Sequence, residues 1–271
     1  MYESAVRAHD LVLAYGDRVA LQISNFDIPA SALTVLIGPN GSGKTTILNA
    51  IAGLVEPRSG RLAVSMTARG AAAMAYVLQS AAVNNALPIT VREVVSMGRY
   101  ASLGAFRRFG PRDRELCAAA MDRLAITDLA SRRLDELSGG QRQRVFVAQG
   151  LAQAADLLLL DEPVTGLDLP STERIRAAIE EERRRGVTVL LTSHQLADAA
   201  AADWVLLLAG SVVAAGPPGA VLVPAYLSAA YGMSFVAVPG PSVIDDATHR
   251  GCALQGSSAG PGRAAPDTEQ A

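Results

Sequence analysis

The sequence predicts an α/β protein built on a mainly parallel sheet, with antiparallel strands at its N-terminal end and a helical subdomain inserted into the core. Three observations carry that reading. Apolar runs without alternation, such as "LTVLIG" (33–38), "DLLLLDEP" (156–163) and "VTVLLTSH" (187–194), suit strands covered on both faces. Helical patterns stand between such runs, the alternation that builds a parallel sheet. From 87 to 154 the strand patterns stop and helical ones replace them.

In chain order, "AVRAHDLVLAY" (5–15) and "LQISNFDIP" (21–29) read as short N-terminal strands. "LTVLIG" is a buried strand that runs into a glycine-rich loop, and "KTTILNAIAGL" (44–54) is the helix after it. The insert holds "TVREVVSMGRY" (90–100), "RDRELCAAAMDRLA" (112–125) and "GGQRQRVFVAQGLAQAA" (139–155), all helical in pattern. The α/β pattern then resumes with the strand "DLLLLDEP", the helix "PSTERIRAAIEEERRRG" (170–186), the strand "VTVLLTSH", the helix "QLADAAAA" (195–202) and the strand "DWVLLLAG" (203–210). Residues 1–239 are expected to form the folded unit. Residues 240–271, rich in Gly, Ser, Pro and Ala without periodicity, are expected to be a disordered tail.

With 271 residues the chain can bury roughly three quarters of its unfolded surface. Net charge is −2, so there is no cationic excess to neutralise a phosphate backbone and nucleic acid is not expected as a partner. Cys117 and Cys252 fall in no CxxC or zinc-type spacing and read as structural. The opening "MYESAVRAHDL" lacks the basic-then-apolar order of a secretory signal. From Trp204 to Ile244 no charged residue occurs, but glycines and prolines cut the stretch into runs such as "WVLLLAG" and "SVVAAG". These read as paired buried strands and not as a membrane span, which needs about 20 unbroken apolar residues.

The chemistry begins with "GPNGSGKTT", Gly38, Pro39, Asn40, Gly41, Ser42, Gly43, Lys44, Thr45 and Thr46. It fits G-x-x-x-x-G-K-[ST], in which small residues let successive N–H groups curl around phosphate oxygens at a helix N-terminus. Lys44 is the only lysine in the chain; every other basic side chain is arginine. Wherever charge alone matters, arginine serves. Here a compact ammonium has to reach the β and γ phosphates, and a planar guanidinium does not fit the same cradle. Thr45 offers its hydroxyl to Mg²⁺. In "LLLLDEP" the strand delivers Asp161 and Glu162 at its C-terminal end, where parallel sheets bind ligands; Asp161 is placed to hold Mg²⁺ and Glu162 to orient and polarise the attacking water. Without the phosphate loop the two acids would pass for a helix cap.

"LSGGQRQR" begins with Leu137, Ser138, Gly139, Gly140 and Gln141 and makes a second anion-binding helix start. With it, the chain resembles the ATP-binding cassette (ABC) family of ATPases over about residues 5–235. The resemblance implies a P-loop NTPase core of ABC type. It also implies a head-to-tail homodimer in which residues 137–141 contact the γ-phosphate of ATP held by the opposite subunit. Other residues fall in the family's order. Tyr15 in "LAYGDRVAL" resembles the aromatic that stacks on adenine, although a core tyrosine at a strand end would look the same. Gln79 after "MAYVL" resembles the glutamine that touches Mg²⁺ and links the site to a membrane partner. Asp168 in "TGLD" matches the aspartate of the interface loop, where "SALD" is the more frequent wording. His194 resembles the histidine that senses the γ-phosphate, while His9 and His249 sit in no motif and read as surface residues.

One departure follows the signature. "VFVAQGLAQ" has Gln149 and Gly150 where relatives usually show Arg-Ala, and a helical glycine costs about 1 kcal/mol against alanine, so local loosening is expected there. The wording of "LPITVREVVSMGRYASLGAFRRFGPRDRE" (87–115) resembles ATPases of manganese and zinc importers. Iron-siderophore, haem and cobalamin importers share part of it. The resemblance therefore implies the ATPase subunit of a membrane importer for divalent metal. Its implied partners are separate permease subunits and, indirectly, an extracytoplasmic binding protein, and its place is the cytoplasmic face of the membrane. The residues near Arg99, Arg107 and Arg108 read as a solvated face and not as a cargo site. A soluble cassette ATPase of translation or DNA maintenance is the rival, and the second cassette or long coiled-coil insert expected of those is lacking here.

Overall fold

The computed structural model describes residues 3–65, 74–78, 88–103 and 108–232, of which the side chains of 101 and 102 are excepted. The tail expected at 240–271, Gln79, Arg107, Cys252 and His249 lie outside these residues.

Two sheets form the frame. β1 (Ser4–Tyr15) pairs antiparallel with β2 (Arg18–Pro29) on one side and β4 (Pro57–Val64) on the other. The second sheet has the order β5-β6-β7-β3-β8-β9, with β3 (Leu33–Ile37), β5 (Met74–Val77), β6 (Leu157–Leu160), β7 (Thr188–Ser193) and β8 (Trp204–Leu208) all parallel. β9 (Val212–Gly216) closes the edge antiparallel to β8.

Alternate side chains point to opposite faces of a strand, so runs of unbroken leucine and valine feed two cores at once. Val35, Leu158, Leu160, Val189, Leu191, Val205 and Leu207 face the helices α2 (Val91–Leu103), α3 (Pro111–Arg123), α4 (Gly139–Ala152) and α5 (Leu169–Arg184). Leu36, Leu157, Leu159, Leu190, Leu206 and Leu208 face α1 (Lys44–Ile51) and the antiparallel sheet. Burial on both faces is the physical reason these strands show no polar alternation.

Between β5 and β6 the described residues form α2, α3 and α4, joined by short 3₁₀ turns at Thr127–Leu129 and Leu134–Glu136, with one isolated bridge from Thr90 to Arg133. From 217 to 232 the uncharged run is not strand: α7 (Pro218–Val221) and α8 (Pro224–Tyr231) each begin on a proline, which needs no N–H partner in the first turn. α6 (Leu196–Ala200) precedes β8. "SVVAAG" does pair with "WVLLLAG", but as the edge strand β9 it is only half-buried.

Two expectations are corrected. Arg99 does not belong to a solvated face: it is 6% exposed, and its Nε donates to Asp113 (3.1 Å), itself fully buried, while its guanidinium also bonds the carbonyls of Ala152 and Gln153 at the end of α4. Nor is Gly150 a loose point. A Cβ there would lie 2.5 Å from Val77 Cγ2, so the glycine lets α4 press against β5. Gly98 does the same for α2 against the backbone carbonyl of Gln149. The small residues mark close packing, which helix propensity alone does not reveal.

Candidate functional site

Three adjacent strands, β6, β7 and β3, deliver the site at their C-terminal ends. Register aligns Leu160 with Leu191 and Ile37 with Ser193, so the residues that follow emerge side by side. After β3 comes the glycine loop, after β6 the acidic pair, and after β7 His194.

The loop turns through Gly41 (φ +76°) and Gly43 (φ +103°), conformations that L side chains rarely adopt. At Gly38 a Cβ would run into the backbone carbonyl of Leu208, which leaves no room for any other residue. Lys44 is 6% exposed, and its Nζ donates to the carbonyls of Gly38 (2.7 Å) and Pro39 (3.0 Å), so the ammonium is folded back over the loop. Gly43 caps α1 without a side chain and no acid stands in its first turn, leaving an electropositive helix start.

Asp161 is 4% exposed and accepts from Thr45 Oγ1 (3.1 Å) and Thr192 Oγ1 (2.7 Å). Glu162 sits in the left-handed region (φ +47°), a backbone that costs a glutamate about 1–3 kcal/mol and is held by its N–H bond to Thr192 Oγ1 (2.8 Å). His194 Nε2 lies 2.5 Å from Glu162 Oε1. Thus Thr45, Asp161, Glu162 and His194, scattered through the sequence, stand in one chain of contacts.

Residues 40–46, Tyr15, Arg18, Gln22, Glu162 and Gly210 line a cleft of about 570 Å³. Tyr15 is half exposed on its wall, and Asn49 Nδ2 donates to its hydroxyl (3.1 Å); Asn49 Oδ1 accepts from Tyr76 (2.9 Å). Burial and the Asp161 carboxylate push the Tyr76 hydroxyl far up, so it stays a donor.

None of residues 137–141 lines that cleft. Ser138 caps α4 in a reciprocal box with Gln141: Gln141 N donates to Ser138 Oγ (3.3 Å) and Ser138 N to Gln141 Oε1 (3.0 Å). Ser138 and Gly139 are exposed, while Leu137 and Gly140 are buried. Asp168 caps α5, and a Cβ on Gly140 would strike its carboxylate. The Ser171 hydroxyl holds the Asp168 carboxyl below its usual range.

Sequence reasoning did not single out Thr192 or Asn49. A threonine in an apolar strand and an asparagine in a helix carry no signal until the fold places them.

The family model for ABC transporters matches residues 21–165, more than half of the chain. The chain belongs to the ABC transporter family. This ABC chain is an ATPase and binds nucleotide, in agreement with the loop and acidic pair above. It is 38% identical to the zinc transport system ATP-binding protein TroB of Treponema pallidum, covering 84% of this chain and 87% of that one. It is 36% identical to the manganese transport system ATP-binding protein MntB of Listeria monocytogenes, over 84% and 96%. Among solved structures it is similar to a chain of an inward-facing transporter described as of metal-chelate type, with a TM-score of 0.74 and 28% identity over 86% of this chain and 90% of that one.

Proposed function

We propose that this ABC ATPase is the nucleotide-binding subunit of a membrane importer for divalent metal, manganese or zinc. The observation that carries the chemistry is the Glu162–His194 contact beside the Lys44 loop; the cargo rests on the relatives that transport zinc and manganese.

The donor set fits a hard cation: the Thr45 hydroxyl and the Asp161 carboxylate meet, and Gln79 is proposed as a further ligand. Ser42 Oγ, buried without a hydrogen-bond partner, suits a loop shaped for phosphate oxygens. Bound Mg²⁺ supplies charge neutralisation at the phosphates. Lys44 and the N–H groups of 40–46 grip the phosphates, and Tyr15 stacks on the base. Glu162 takes a proton from the attacking water, and His194 orients Glu162 and reaches the γ-phosphate. The start of α4, Leu137 to Gln141, of which Ser138 and Gly139 are exposed, serves the nucleotide of a second copy of the chain, with Asp168 at the same interface. None of these five residues lines the chain's own cleft, which supports this arrangement.

No helix among the described residues is long and apolar enough to cross a membrane. The proposed partners are separate permease subunits and, indirectly, an extracytoplasmic binding protein, with the chain at the cytoplasmic face of the membrane; the support is the relatives named as ATP-binding proteins of transport systems. Met97 and Tyr100, exposed on α2, and Leu78 offer the apolar surface for the permease. Residues 1–239 form the cassette, with the helices of 87–154 as its inserted subdomain.

The test is Glu162→Gln. In the purified chain the expected result is a stable ATP-bound dimer by size-exclusion chromatography and turnover reduced at least a hundredfold; normal hydrolysis overturns the assignment. In cells under metal limitation the same variant should lower manganese or zinc by elemental analysis. A fall in iron or cobalt instead would transfer the cargo to a chelate.

A further inference from the structure

His194 occupies the turn between β7 and α6, and its neighbours are clamped from α5. Ser193 is 4% exposed; its Oγ donates to Asp198 Oδ2 (2.5 Å) and accepts from the N–H of Gln195 (3.0 Å). Asp198 Oδ1 accepts from the Arg176 guanidinium (2.7 Å), which also donates to Gln195 Oε1 (2.8 Å). The ring Ser193–Asp198–Arg176–Gln195 therefore closes around the two residues that flank His194. It contributes nothing to the nucleotide cleft directly, since none of the four lines it.

We propose that Arg176 and Asp198 are positioning residues for ATP hydrolysis, acting through Ser193 and Gln195 to hold the His194 imidazole against Glu162. The inference rests on the role given to His194 above and adds the device that sets its geometry. A residue that contacts a general base is effective only when a third group fixes its orientation. Here the side chains of both residues that flank His194 are held by charge-assisted bonds, Ser193 to Asp198 and Gln195 to Arg176, which are shorter and stronger than neutral ones, and the Gln195 N–H ties the backbone of the turn to the Ser193 hydroxyl. The side chain of Asp198 is 12% exposed, so its bonds are shielded from water, whereas Arg176 is 42% exposed and its replacement leaves no hole in the core. α5 supplies a second consequence. Asp168 caps this helix and Arg176 lies about two turns further on, roughly 12 Å at 1.5 Å per residue. A displacement of the Asp168 loop is thereby carried to the His194 turn by one rigid element.

A purely structural clamp would stabilise α6 and leave catalysis alone. Two readouts separate the cases in the full-length chain. Asp198→Ala and Arg176→Ala are each expected to lower kcat for ATP about tenfold, with KM for ATP changed less than twofold, because the Lys44 loop is untouched. Introduced into His194→Ala, either substitution is expected to change kcat less than twofold, since the residue it positions is gone. Arg176→Lys, which keeps a cation donor to Asp198, should recover part of the loss. Arg176→Ala guards against a folding artefact: its melting midpoint should stay within a few degrees of the parent. Equal losses on the parent and His194→Ala backgrounds overturn the inference, as does a rise in KM without a fall in kcat. Full activity of Arg176→Ala and Asp198→Ala while His194→Ala is impaired sinks the inference alone. Full activity of His194→Ala sinks the role given to His194 and the inference with it.

Discussion

Alanine at Gly150 sets two effects of opposite sign against each other. Helix propensity favours alanine by about 1 kcal/mol in a helix interior. Its Cβ, however, would stand 2.5 Å from Val77 Cγ2 and 3.6 Å from Leu158 Cδ1, and adding a methyl to a packed core costs about 1–3 kcal/mol. Val77 is 4% exposed in β5, a strand paired to β6, so relief by rotating the valine meets other buried atoms. The clash wins, with a net loss of about 1 kcal/mol, which lowers the melting midpoint by roughly 2–4 °C in a domain of this size. Circular-dichroism melting of Gly150→Ala beside the parent measures it. The double variant Val77→Ala with Gly150→Ala removes the obstructing methyls, and its loss should be smaller than the sum of the two single losses. Gly98→Ala should be worse than Gly150→Ala, because it meets a backbone carbonyl that can yield only if α4 moves. A midpoint for Gly150→Ala at or above that of the parent refutes the packing argument and returns the position to simple helix propensity.

Lys44→Arg keeps the charge but not the shape that lets Nζ meet two loop carbonyls, and ATP affinity by fluorescent-nucleotide titration should fall at least tenfold, about 1.4 kcal/mol. Arg99→Ala takes the cation from a fully buried Asp113 and should cost about 3–5 kcal/mol in urea unfolding; a loss under 1 kcal/mol would contradict the buried pair. Asp203 is held below the usual carboxylate range, first by its hydrogen bonds from Arg183 and then by the N–H of Leu33. A depressed folded-state value stabilises the fold above the unfolded value, about 3.9, and that contribution disappears as the pH falls through the folded one. The urea midpoint of Asp203→Asn should therefore trail the parent at pH 7 and approach it below about pH 4; a gap that widens in acid would reverse the sign.

The sequence made some of this legible and hid the rest for physical reasons. Strands buried on both faces show as unbroken leucine runs, and the glycine loop announces a backbone that needs positive φ. β4 escaped because its residues are nearly all exposed and it carries Pro57 and Gly60, while β5 is only four residues long. α7 and α8 escape because a proline in an apolar run looks like an interruption where it serves as a helix start. Lys44, Asp161, Glu162 and His194 stand in recognisable local words. Thr192, Arg176 and Asp198 do not: the Arg176–Asp198 and Thr192–Asp161 bonds join residues 22 and 31 positions apart, and only the pairing of strands and helices brings them together. Gly150 shows the converse, a local rule overruled by a neighbour from β5.

The same register that assembles the site explains why its strands tolerate so little change. β7 lies between β6 and β3, and its residues Thr192 and Ser193 project alternately toward Asp161 and toward Asp198. A slip of one residue in β7 would exchange those two side chains and turn His194 away from Glu162 in a single step. The buried leucines prevent it, because the slip would also send Leu190 and Leu191 into each other's cores. Packing on both faces thus does more than hold the sheet together: it fixes which hydroxyl braces the strained backbone of Glu162 and which one anchors the turn that carries His194.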